Sequence, residues 1–317
     1  MCKTHAGPAS KASVLTLSAC GVAIWRFCES GHAKRSCYEA RSSVSHFYTA
    51  QGQLVATVPM RTKGREHEYR DATLSDGREL NLGPSVTTVL QLLAKPGLTE
   101  WQIEQGIKAA LSESPDVSVS YADPSHETYT AYIQRLKRKA TEVVTQAADM
   151  GTQIHRAFEQ LATGAGRELA LDVGVAAYQI AHESLAALLD AGLTIEQSEV
   201  SFASPRGYGG TADILGTWLG RPCIAAVKSQ EFDRVQDAKF YNEHPLQLAG
   251  YAVGINQEEL DRVSLIVSRT KPGVVAVRNW STYESKNGNG WPNERADAAW
   301  LALLECWFLM SGWRPAW

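Results

Sequence analysis

Residues able to do chemistry stand in five separate stretches of this 317-residue chain. "MGTQIHRAFEQ" spaces Gly151, His155 and Glu159 four apart, and on a helix such positions share one face. "SEVSF" carries Glu199, and "GGTADILG" sets Asp213 between apolar neighbours, where a carboxylate is costly without a partner. "CIAAVKSQ" is a short apolar strand that ends in Lys228, and "HPLQLAGY" places Gln247 and Tyr251 one helical turn apart. Each alone has an ordinary structural reading. Together, carboxylates, an imidazole and a lysine are what metal-assisted phosphodiester hydrolysis requires: ligands for a divalent cation, and a positive group to orient water.

The elements that must position these groups alternate in type. Two short strands around Gln51-Gly52 come first, then a polar segment from Arg61 to Asn81. Ser85 is placed to cap a short apolar helix that Pro96-Gly97 stops, and its first turn, flanked by Thr87 and Thr88, is a place for a phosphate as well as an ordinary cap. Helix follows over 99–110, then a long helix over 127–163 and another over 173–189. The period then shifts from 3.6 to 2 for three successive strands ending at Gln230. A helix over 241–254, a strand pair and a Trp-rich helix from Asn293 close the chain, whose tryptophans read as core packing. Gly207, Gly209 and Gly210 let the backbone before Asp213 approach a neighbour closely.

Composition excludes several classes. With 44% hydrophobic and 21% charged residues the chain can bury a core, and 31 Lys and Arg against 34 Asp and Glu give a net charge of −3, so any nucleic-acid contact must be local. No apolar run reaches the roughly 18 residues of a membrane span. Residues 1–45 read as an extension, disordered or non-native; the apolar run before Cys20 is too short for a signal core, and Cys28, His32 and Cys37 lack zinc-site spacing. Residues 46–317 form one expected domain with its core at about 140–280. The remaining cysteines, Cys223 and Cys306, suit a reducing cytoplasm.

In order, Gly151-x3-His155, Glu199, Gly210-x2-Asp213, Val227-Lys228 and Gln247-x3-Tyr251 resemble the motifs of the RecB-like branch of the PD-(D/E)XK nucleases. "PSVTTVL", Pro84 to Leu90, is similar to the segment preceding the core in phage and mitochondrial genome maintenance exonucleases, and the resemblance spans Gly83 to Trp280. It implies an α/β fold with a restriction-endonuclease-like mixed central sheet flanked by helices, preceded by an N-terminal helical segment. It implies a Mg²⁺- or Mn²⁺-dependent exonuclease acting on linear DNA ends in phage or prophage recombination or replication. The expected location is the bacterial host cytoplasm, and a single-strand annealing protein is an expected partner. His155, Asp213 and the Val227 carbonyl would bind the metal; Lys228, Asp213 and Glu199 would serve catalysis, Glu199 as an auxiliary acid. Ser85, Thr87, Thr88, Gln247 and Tyr251 would contact DNA. Only Cys306 follows Tyr251, so no iron–sulfur cluster is expected.

One position departs from this pattern. The family carries Asp or Glu two residues before the lysine, and Ala226 stands there. Loss of that charge predicts weak metal binding and strongly reduced cleavage, and it opens an alternative: a catalytically silent protein that binds DNA ends.

Overall fold

The computed structural model describes residues 46–60, 68–112, 129–164, 173–283 and 290–317. The expected N-terminal extension over 1–45 lies outside them. Ser42–Trp317 is one compact unit.

Five strands form the central mixed sheet: β6 (Leu193–Ser204), β7 (Tyr208–Trp218), β8 (Arg221–Gln230), β9 (Asp261–Ser268) and β10 (Val275–Asn279), in the order β10-β9-β8-β7-β6. Neighbours are antiparallel except β8 and β9, which run parallel. A parallel step needs a crossover, and the helix Glu243–Gly254 supplies it. Every residue of β9 is buried, which fits a strand covered on both faces.

Smaller elements precede the sheet. They are strands β1 (Phe47–Tyr48), β2 (Leu54–Val55), β3 (Thr57–Pro59), β4 (Tyr69–Asp71) and β5 (Gly83–Pro84), with helices α1 (Leu74–Glu79), α2 (Val86–Leu90) and α3 (Pro96–Ser112). β1 and β2 pair across the turn at Gly52, whose φ of 78° suits glycine. Pro96 does not stop a helix as the sequence suggests. It opens α3, where its missing N–H costs no bond. Within the segment read only as polar, Thr73 caps α1 and Asp76 closes a capping box, while Arg70 grips the buried Asp76 through two 2.7 Å bonds.

Helices cover both sheet faces. The long α4 (Tyr129–Ala162) and α5 (Val175–Asp190) pack Ile154, Phe158, Ile180 and Leu188 against Ile214, Ala225, Val227 and Leu265. On the other face α6 (Glu243–Gly254) and α7 (Asn293–Ser311), with α2, enclose Phe202, Tyr208, Ile224, Ala226, Leu248 and Trp300. Trp280, Trp300 and Trp307 belong to this core, as the sequence suggests. Among the described residues, no helix is long and apolar enough to cross a membrane.

Candidate metal centre

Alternation of side chains fails in the middle of β7. In β7, Ala212 and Leu215 pack on the α6 face, yet Ile214 packs on the α4 face, so the regular two-residue period breaks at Asp213. Its neighbour breaks there too. The β6–β7 register runs through Ser198↔Ile214 and Val200↔Ala212, but Glu199, which should oppose Asp213, drops out and adopts φ of 53°. A non-glycine residue in that region costs about 1–2 kcal/mol. On the other side, the β7–β8 ladder ends at Ile214↔Ala225, and the Asp213 carboxylate takes its place as acceptor: Val227 N–H donates to Oδ2 at 2.8 Å. An extended residue carries its C=O on the same edge as its N–H, so the Val227 carbonyl is aimed toward β7.

The α4 stripe meets this break. Gly151 passes so close to the end of β8 that a Cβ would lie 3.2 Å from Ser229 Oγ. One turn on, His155 Nε2–H donates to Glu199 Oε1 at 2.9 Å and lies 3.8 Å from Asp213 Oδ1. The ligand atoms of His155, Glu199 and Asp213 fall within 4.8 Å of one another, a grouping able to hold a metal ion. Hydrogen bonding to Glu199 raises the proton affinity of His155, and the Asp213 charge adds to this against the opposing effects of burial and Lys228. The Asp213 side chain is 9% exposed, and among the described residues it takes one hydrogen bond, at Oδ2. Oδ1 is turned toward His155 Nε2 at 3.8 Å, an oxygen that suits a hard cation; two carboxylates and an imidazole are compatible with Mn²⁺ and less selective for Mg²⁺.

Lys228 and His155 open into one cleft of about 1440 Å³, above the 300–1,000 Å³ of a small-molecule pocket. Trp101, Tyr241, Trp291, Lys95 and Lys239 line the same cleft. No carboxylate pairs with Lys228 among the described residues, and its charge reaches both His155 and His244.

The remaining expected residues take structural places. Gln247 Nε2 donates to Tyr251 Oη at 2.7 Å, and both side chains are buried. Burial, and after it the Asp213 charge, opposes ionisation of that phenol, and the burial of both side chains leaves the pair inside the core rather than on a surface. Ser85 Oγ accepts from Thr88 N–H at 2.9 Å and bonds Thr87 and Thr88 hydroxyls, while Thr88 Oγ1 donates to the His46 carbonyl. These hydroxyls cap α2 and tie it to β1; Thr87 alone is exposed. The glycines before Asp213 serve packing: a Cβ on Gly209 would lie 2.4 Å from Tyr48, and one on Gly210 would strike Phe202 and Val86. Sequence reading also missed Tyr48, whose hydroxyl meets Thr211 Oγ1 at 2.9 Å near Glu199, because nothing local marks a strand residue for a partner 163 positions away.

No protein-family model matches the chain, and no curated protein matches it.

Proposed function

We propose that this chain is a Mg²⁺- or Mn²⁺-dependent deoxyribonuclease that hydrolyses phosphodiester bonds at DNA ends, built on a PD-(D/E)XK core. One observation carries the reading: an imidazole and two carboxylates converge within 4.8 Å, and Lys228 from the adjoining strand lines one cleft with that imidazole, His155. A bound divalent ion would polarise the scissile phosphate and ease deprotonation of water. His155, Asp213 and the Val227 carbonyl would hold it. Lys228 orients the attacking water and balances phosphate charge, and the Val227 N–H holds Asp213 in place. Trp101 and Tyr241 offer faces for unstacked bases, and Lys239 offers charge to the backbone, while Lys95 is ion-paired with Glu243 at 3.3 Å.

Ala226 favours a second reading, a DNA-end-binding protein that has lost catalysis. Digestion of end-labelled linear and circular DNA in Mg²⁺ and in Mn²⁺ separates the two. The nuclease reading expects linear DNA to be degraded and circles to survive, with Asp213→Asn and Lys228→Ala each slowing the reaction about 100-fold or more. Binding of ends without cleavage in either ion would establish the second reading. Nicking of circles would replace exonuclease by endonuclease.

A further inference from the structure

Position 226 carries no carboxylate, yet two carboxylates converge with His155 at the candidate centre. Continued by one step, the β7–β8 register sets Ala226 opposite Asp213, and Ala226 is 2% exposed within the core beside Ile224 and Leu248. From the opposite neighbour of Asp213, β6, Glu199 presents its carboxylate to His155 at 2.9 Å. Asp213, nine-tenths buried, keeps Oδ1 without a hydrogen bond in the space that these groups share.

We infer that Glu199 is a direct metal ligand and supplies, from β6, the charge that position 226 supplies from β8 in the proposed family; this rests on the nuclease reading. The centre then contains two carboxylates and one imidazole without residue 226, and the role of Glu199 changes from auxiliary acid to ligand. A carboxylate placed at 226 would enter the apolar core beside Ile224 and Leu248, on the sheet face opposite α4, where a charge is costly. The centre therefore gains little from it.

Isothermal titration of Mn²⁺ into the full chain tests this without reference to cleavage. Glu199→Gln keeps the length and the hydrogen bond to His155 and is expected to weaken Mn²⁺ binding by about tenfold or more, in line with losses at metal sites. Ala226→Asp and Glu159→Gln are both expected to bind within about threefold of wild type. Glu159 is the charge control, since its proton affinity is raised by burial and by nearby Glu199, yet it lies outside the ligand group. Unchanged binding by Glu199→Gln, an equal loss in Glu159→Gln, or a tenfold gain in Ala226→Asp would each overturn the assignment. If Glu199→Gln melts early, Glu199→Asp replaces it: the charge is retained but withdrawn by one methylene, and a comparable loss is expected while unchanged binding overturns the assignment. Wild type that binds Mn²⁺ but leaves linear DNA intact refutes the nuclease and not the ligand; wild type that binds no Mn²⁺ at millimolar concentration refutes both.

Discussion

His244 is a neutral imidazole held where a proton is unwelcome. It is buried edge-on to the rings of Phe240 and Tyr241, and its Nδ1 has no partner. Burial, then the charges of Lys228, Arg278 and Lys95, pull its pKa down to about 3. Below about pH 6.5 the unfolded chain binds a proton that the folded chain refuses until about pH 3. Stability from this residue is therefore complete above pH 6.5 and falls as pH drops through that window, by at most about 1.4 kcal/mol per pH unit. Urea unfolding at pH 7 and pH 5 should show His244→Phe losing less stability on acidification than wild type; equal losses would place the acid sensitivity elsewhere. Residues of this kind were illegible in sequence, since burial of His244 comes from a rim built by α6 and the segment before it. Asp213 was legible because a carboxylate in an apolar strand needs a partner wherever the strand packs. Gln247 and Tyr251 were legible as a pair one turn apart, but not as a buried pair, because spacing gives a face and not what covers it.

At the scale of elements, close approach is set by glycines. β1 lies on β7 only because Gly209 lacks a Cβ, and Tyr48 then reaches Thr211. Gly209→Ala should force β1 away and cost about 1–3 kcal/mol, as overpacking does, read as a lower urea midpoint with unchanged slope. A midpoint equal to wild type would mean that β1 yields freely. Element types were well marked in sequence by the change in period: the three successive strands end at Gln230 and α7 begins at Asn293, as expected. α1 was not recognised, although Thr73-x-x-Asp76 is a short-armed form of the capping signature. The irregularity at Glu199 was beyond reach, because a left-handed residue there is imposed by the strands and α4 around it rather than by local preference.

For the whole molecule, the centre is divided between parts that meet over different lengths of chain. Glu199 and Asp213 lie on one hairpin, joined through the turn at Gly207, whereas His155 arrives from α4, 44 residues before Glu199. Hairpins close on the order of microseconds, and contacts distant in sequence are slower to form. On the proposed reading, a cation would have both carboxylates before α4 docks and would gain the His155 imidazole only afterwards. It should act as a latch on the finished fold. In stopped-flow measurements, saturating Mn²⁺ is expected to slow unfolding while leaving the refolding rate nearly unchanged, and faster refolding would instead mean that α4 is already seated at the barrier. A protein whose cofactor governs the rate of opening is protected longest in the compartment where the ion is most plentiful, so supply of the metal would set its lifetime as well as its activity.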